Sequence, residues 1–385
     1  MVNITDKSQC TGCNACSSIC AHNAISMQHD EYGHIYPKVD LNACTDCGLC
    51  EKVCPLLHKD RLPKDDDLEH LPVKAVYNRD SEVRKRSTSG GTFSLLAEYV
   101  IAQGGIVCAA RFDEHYHIHH AFFDNMDDID TFRGSKYAQS DLSDVFRQIK
   151  AYLKSRPVLF VGSPCQVAGL KSYLIKEYDN LYTCDFICMS ISSGKMWDEY
   201  ISQYQSAHPV KRIFFKDKRN GWHKGDWRML IEDNEREHLC SANDNPYFWA
   251  YLQHYSARPS CFDCAVRHCR HVSDFTIADC WGIDKINPSF DDNKGCTTLI
   301  LQSEKSKVVF DAIKDKTCYT DFGIQNVRIY NKHIENQAAK PQDYDSFCEA
   351  YKQAGFMRAI TPFWEKQYKT SVLQKVKKFI KKHIR

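Results

Sequence analysis

Two stretches decide how this chain is read: Cys10-Thr11-Gly12-Cys13-Asn14-Ala15-Cys16-Ser17-Ser18-Ile19-Cys20, and Cys44-Thr45-Asp46-Cys47-Gly48-Leu49-Cys50-Glu51-Lys52-Val53-Cys54-Pro55. Both follow the spacing Cys-x-x-Cys-x-x-Cys-x-x-x-Cys. Three closely spaced thiolates wrap one iron–sulfur cube, and the fourth cysteine of such a run reaches over to ligate the other cube. The spacing therefore assigns Cys10, Cys13, Cys16 and Cys54 to one 4Fe–4S cluster, and Cys44, Cys47, Cys50 and Cys20 to a second. Gly12 and Gly48 are the residues expected to let the backbone curl around each cube. A pair of zinc knuckles is the alternative, but zinc is satisfied by four ligands in looser spacings and gives no reason for two matched runs. Ala21 stands where proline usually follows the first run; proline is not a ligand, so the assignment is unaffected.

The bulk composition agrees with a redox protein. The chain has 385 residues and twenty cysteines, with 51 basic against 49 acidic side chains. Near-cancelling charge gives no reason to expect a nucleic-acid partner. No apolar h-region opens the chain and no long apolar run follows, so neither a secretory signal nor a transmembrane helix is expected, and a cytoplasmic location is. Clustered cysteines in that setting read as reduced metal ligands rather than disulfides.

Residues 1–58 form a small two-cluster ferredoxin domain of the bacterial type. Residues 59–72, charged and bracketed by proline, read as a linker. From Val73 the pattern alternates between strand and helix. Helices are expected over 92–103, 141–154, 166–177 and 304–315. Strands are expected over 106–112, 158–161, 181–188, 212–216, 275–280 and 297–302. The fold class expected is α+β: the ferredoxin domain followed by a mixed α/β domain over 73–340, then a helical segment over 341–385. In that last segment Val372, Leu373, Val376, Phe379, Ile380 and Ile384 share one helical face and lysines largely hold the other. Such a helix suits weak contact with an anionic membrane surface, or packing on the domain with its cations at its own C-terminus.

Five further motifs carry a resemblance: Ser89-Gly90-Gly91-Thr92-Phe93, Arg133-Gly134-Ser135-Lys136-Tyr137, Gly162-Ser163-Pro164-Cys165-Gln166, Arg258-Pro259-Ser260-Cys261-Phe262-Asp263-Cys264, and Asp274-Phe275-Thr276-Ile277-Ala278-Asp279-Cys280-Trp281-Gly282. Together and in this order the region from Val73 to Leu301 resembles the coenzyme F420 hydrogenase/dehydrogenase beta-subunit family. The resemblance implies an iron–sulfur flavoprotein oxidoreductase. FAD would exchange electron pairs with a deazaflavin or another small reducible substrate, and single electrons with the clusters. It further implies a third 4Fe–4S cluster on Cys261, Cys264 and Cys165, with Cys188 as the fourth ligand. The alternatives are that Cys261-x-x-Cys264 binds nothing, or that it binds zinc with His268 and His271 nearby. A redox partner protein, a ferredoxin or an oxidoreductase subunit, is expected as well.

The residues add their own reasons. Ser89 to Thr92 precede a helix, where glycines let backbone N–H groups approach a phosphate; an ordinary Ser/Thr N-cap is the plainer reading. Arg133 to Tyr137 pair a tight turn with cations, and Lys136 is the residue expected to favour a reduced flavin; the alternative is a solvated basic turn. Cys165 at a helix start is expected to have a lowered pKa. The basic stretch Lys211, Arg212, Lys216, Lys218, Arg219 and Lys224, with Trp222 and Trp227, suits FAD phosphates, an anionic substrate, an acidic partner or plain solvation. His115, His117, His119 and His120 read as the polar side of an exposed hairpin rather than a metal site. Tyr247, Phe248, Trp249, Tyr251, Leu252 and Tyr255 read as core, as does Cys184. Cys108, Cys240, Cys280, Cys296, Cys318 and Cys348 read as isolated thiols, with Cys280 nearest the expected flavin. Two non-catalytic readings also stand: an electron-relaying subunit of a larger complex, and a binding module that has lost its flavin.

Overall fold

The computed structural model describes residues 1–63, 68–207, 209–267 and 271–366. The basic amphipathic stretch from 371 onward lies outside the described residues.

The N-terminal module has one hairpin, β1 (Ile25–His29) with β2 (Ile35–Val39), in antiparallel register from Ile25 opposite Val39 to His29 opposite Ile35. Asp30 closes its turn by accepting from the N–H groups of Tyr32 and His34 at 3.1 and 2.9 Å, an Asx-type turn that asparagine and aspartate favour.

The larger domain is built on an eight-stranded mixed sheet. Its strands are β3 (Val73–Asn78), β4 (Ile106–Phe112), β5 (Ile118–Phe123), β6 (Val158–Val161) and β7 (Leu181–Phe186), with three later ones. A separate three-stranded antiparallel sheet holds β8 (Arg212–Asp217), β9 (Arg228–Glu232) and β10 (Glu237–Cys240). The large sheet is completed by β11 (Phe275–Asp279), β12 (Thr297–Leu301) and β13 (Thr317–Asp321), in the order β13-β3-β12-β11-β7-β6-β4-β5. The central strands β11, β7, β6 and β4 are parallel, and the flanking pairs are antiparallel.

Alternation along the strands explains the layers. Val107, Ala109, Leu159 and Leu299 face helices Thr92–Ala102 and Glu304–Ile313. Ile106, Cys108, Val158 and Phe160 face helices Val145–Tyr152 and Pro164–Leu174 on the other side. A second core lies under the three-stranded sheet, where Trp197, Tyr200, Phe215, Tyr247 and Phe248 are fully buried. Phe347, Phe356 and Ile360, from the helices over 344–354 and 356–366, pack into that same core. The segment over 59–72 is not free of contacts: Leu68 is buried and Glu69 pairs with Arg328.

Candidate metal centres and the adjoining strand ends

In the N-terminal module Cys10, Cys13, Cys16 and Cys54 line one pocket of about 370 Å³ including its open mouth, walled by Val2, Ile4, Met27 and Pro37. The two cysteine loops repeat in backbone conformation as well as in sequence. Gly12 and Asn14 take φ of 67° and 71° in the first, and Asp46 and Gly48 take 52° and 73° in the second. Each loop thus needs two left-handed residues, and the sequence supplies glycine at only one of them, in a different place each time. Asn and Asp fill the others because their short polar side chains tolerate that region. Backbone N–H groups point at sulfur: Gly12 to Cys10 Sγ at 3.4 Å, Val2 to Cys50 Sγ at 3.2 Å and Ala24 to Cys20 Sγ at 3.3 Å. Burial pushes the Cys13 thiol up to about 12, and Cys16 and Cys54 upward too. A site of this kind releases protons when metal binds.

A second pocket, of about 450 Å³ including its open mouth, lies outside the carboxyl ends of the adjacent parallel strands β6 and β7. Cys165 reaches it from the first turn of helix Pro164–Leu174, directly after β6, and Cys188 from two residues beyond β7. Cys261 and Cys264 come from the short turn Pro259–Cys261 and the residues after it. In open α/β sheets ligands bind at this edge of the strands. Ser163 Oγ lies 3.2 Å from Cys165 Sγ, and the Ile191 N–H donates to Cys261 Sγ at 3.3 Å. The expected lowering of the Cys165 pKa does not occur. Burial outweighs the helix start and pushes this thiol up to about 12, with Cys261 at about 11 and Cys188 well raised. His271 also lines the pocket, and its Nδ1 lies 2.8 Å from the fully buried Asp185 Oδ2. His268 and Cys269 lie outside the described residues. Among the described residues no three Cys, His, Asp or Glu side chains converge on the position of a single ion.

The two pockets are neighbours, with Thr11 on the wall of both. The module holding the first is bonded to the domain holding the second. Arg258 Nε donates to the Cys10 carbonyl at 2.7 Å and its other nitrogens to Ile35 O and Gln139 Oε1. Arg147 donates to the carbonyls of Ser17, Ser18 and Cys20, and Asn14 Nδ2 to Ser143 O at 2.7 Å. Sequence reasoning missed these three bridging side chains; their partners across the junction lie more than a hundred residues away.

Of the expected flavin residues, Ser89 to Thr92 and Arg133 to Tyr137 come together. Ser135 N donates to Thr88 Oγ1 at 2.8 Å, and Arg133 Nε to Ser94 Oγ at 3.0 Å. Helix Thr92–Ala102 begins at Gly91 (φ 89°) without a side-chain cap, and the buried Thr92 hydroxyl has no partner. The ordinary Ser/Thr cap is therefore not formed here. Gly90 is committed to packing: its N–H meets Thr297 Oγ1 at 2.9 Å, its carbonyl accepts from Asn78 N at 2.7 Å, and a Cβ would sit 2.3 Å from Val76 O. Gly134 has φ 85°. The Tyr137 ring packs against Phe215, Phe248 and Tyr251. Lys136 Nζ donates to the carbonyls of Phe132 and Arg133 at 2.8 and 3.2 Å, and burial pushes it down to about 7.

The basic stretch is mostly satisfied from within the chain. Lys216 pairs with Asp279, which also accepts from Ser89 Oγ and from Trp222 Nε1 at 3.1 Å. Lys218 donates to the carbonyls of Arg84, Ser89 and Lys294, and Arg219 pairs with Asp217 and Glu237. Trp222 stacks on Trp281 at 4.8 Å, with Lys224 5.1 Å above the latter. The histidine tract sits in the β4–β5 hairpin, with His115 and His117 exposed and His120 turned inward to Val161 O at 2.9 Å. Cys108, Cys184, Cys280 and Cys296 are buried in apolar clusters.

Three family models match. "Coenzyme F420 hydrogenase/dehydrogenase, beta subunit N-term" covers residues 73–147 and its "C terminus" counterpart covers 155–322, while a "4Fe-4S dicluster domain" covers 9–56. No curated protein matches the chain. Among solved structures, a chain from the F420-reducing NiFe hydrogenase complex of Methanosarcina barkeri aligns at 13% identity and a TM-score of 0.49, covering 76% of this chain and 97% of that one. No helix among the described residues is long and apolar enough to cross a membrane.

Proposed function

Because this chain belongs to the coenzyme F420 hydrogenase/dehydrogenase beta-subunit family and carries a 4Fe–4S dicluster domain in front, we propose that it is an iron–sulfur flavoprotein oxidoreductase with three clusters. Cys10, Cys13, Cys16 and Cys54 hold one cluster, Cys20, Cys44, Cys47 and Cys50 the second, and Cys165, Cys188, Cys261 and Cys264 the third. The observation that carries this reading is the convergence of those last four cysteines, from three separate segments, on one pocket whose wall includes Thr11 of the first cluster loop. Four thiols around one pocket, Cys165 and Cys261 buried and Cys188 and Cys264 half-buried, without convergence on a single ion among the described residues, suit a cube better than zinc. Clusters carry single electrons, and a flavin interconverts them with electron pairs for a small organic substrate, deazaflavin-like or other.

For the flavin, the uncapped start of helix Thr92–Ala102 supports a pyrophosphate site. Its first-turn N–H groups have no side-chain acceptor, and the helix dipole favours an anion there. The segment Arg133–Tyr137 borders that start. The chain would work in the cytoplasm with a redox partner protein, a ferredoxin or another oxidoreductase subunit. A second reading, an electron-relaying subunit without flavin, is favoured by one finding: the Gly90 N–H and the Lys136 amine are both already bonded within the chain. Anaerobic purification with flavin quantification separates them. One flavin per chain supports the first reading, and none after reconstitution with FAD supports the second.

A further inference from the structure

Two arginines beside the four-cysteine pocket are buried without a counter-charge. Arg258 is 1% exposed and Arg267 3%, and both line the pocket. Arg258 donates only to the neutral oxygens of Cys10, Ile35 and Gln139, and its guanidinium lies 4.1 Å over the Tyr36 ring. Arg267 donates only to the carbonyls of Cys188, Met189 and Asn336. Among the described residues neither pairs with a carboxylate, whereas the buried cation Lys216 elsewhere in the fold has Asp279. A guanidinium stays charged in proteins, and an isolated buried charge costs far more than carbonyl hydrogen bonds return. Such cations call for an anion beside them. A 4Fe–4S cube with four thiolates is one, with a net charge of about −2 that becomes about −3 on reduction.

The positions of the two arginines differ in a useful way. Arg258 stands between the pockets: it holds the Cys10 peptide, and NH1 lies 3.0 Å from where a Cβ on Gly12 would be. Arg267 holds the Cys188 and Met189 carbonyls and touches no residue of the N-terminal loops among its hydrogen-bond partners. We propose that Arg258 and Arg267 are the electrostatic counter-charges of the iron–sulfur sites, Arg258 acting on both the Cys10 loop site and the four-cysteine pocket, and Arg267 on the pocket alone. Their charge favours the more negative, reduced state and so raises the reduction potential of what each one faces. This rests on the cluster reading given above, and it adds residues that ligate nothing.

The test is an EPR-monitored redox titration of the full anaerobic holoprotein, with iron counted on the same samples. Arg258→Gln should make two of the three clusters harder to reduce, each by about tenfold or more, which is about 59 mV for a one-electron couple. Arg267→Gln should shift one cluster only. The cluster on Cys20, Cys44, Cys47 and Cys50 should titrate unchanged in both, and Arg258→Lys should keep most of the wild-type potential. Wild-type potentials in Arg258→Gln at full iron content would overturn the proposal, as would an equal shift in Arg258→Lys, which would mean geometry rather than charge. If Arg258→Gln loses its clusters, Arg267→Gln and Arg258→Lys carry the test. A wild-type chain holding about eight irons would instead sink the three-cluster reading, and this proposal with it.

Discussion

Gly169 lies directly against Cys13. A Cβ built on Gly169 would sit 2.8 Å from Cys13 Cβ and 2.9 Å from its sulfur. Gly169 is in the middle of helix Pro164–Leu174, where glycine ordinarily costs about 1 kcal/mol relative to alanine. The helix accepts that cost, and the gain is contact. The same helix carries Cys165 in its first turn, so a cysteine of the N-terminal module packs on the element that presents a cysteine of the large domain.

Gly169→Ala sets two effects against each other. Helix propensity alone would stabilise by about 1 kcal/mol. The new methyl group, however, meets backbone-anchored atoms of Cys13 that cannot swing away, and such overpacking costs about 1–3 kcal/mol. The expected net result is a lower denaturation midpoint under anaerobic conditions, with loss of cluster absorbance at the same denaturant concentration. A higher midpoint would show that the module yields at this contact.

Asp279→Ala should be among the more damaging single changes in the large domain. The carboxylate accepts from Ser89, Trp222 and Lys216, and the Lys216 side chain is only 4% exposed. Removing one partner of a buried pair strands the other charge, at about 3–5 kcal/mol. Thermal unfolding checks the size. Because Ser89 precedes the uncapped helix, flavin content should fall in the same variant, whereas a double change of Asp279→Asn with Lys216→Met should recover much of the stability.

His120 gives the chain an acid-sensitive element. Burial pushes its pKa down from 6.5 to about 4. The unfolded chain therefore binds a proton between about pH 6.5 and about pH 4 that the folded chain does not, so this contribution is full above about 6.5 and is lost as pH falls toward 4. His120→Gln should flatten the decline in denaturation midpoint between pH 7 and pH 5, while costing a modest constant amount through the Val161 carbonyl contact. An identical pH slope in the variant would show that His120 is not the titrating group.

Legibility followed sequence distance. The two cysteine runs could be read because their chemistry is local, and the helix over 92–103 and the strand over 106–112 because periodicity and Gly104–Gly105 mark them. Strands β10 and β13 were among those not anticipated: their short, polar-interrupted patterns gain identity only from pairing, as in Glu237 opposite Glu232 and Thr317 opposite Asn78. Helix Pro164–Leu174 begins two residues before its expected start, because Ser163 and Gln166 form a capping box ahead of the apolar periodicity. Cys165 is consequently inside the first turn and buried, which reverses its expected pKa shift. The docking of the module was invisible, since Arg258, Gln139 and Arg147 look like ordinary polar residues until the fold brings them to the carbonyls of residues 10–20 and 35.

The most direct measurement is iron per chain in the anaerobically purified wild-type protein and in the double variant Cys188→Ser/Cys261→Ser. The account predicts about twelve irons falling to about eight, with the two ferredoxin-type signals retained. Equal iron in both proteins would contradict it, leaving the four-cysteine pocket as a cluster of free thiols.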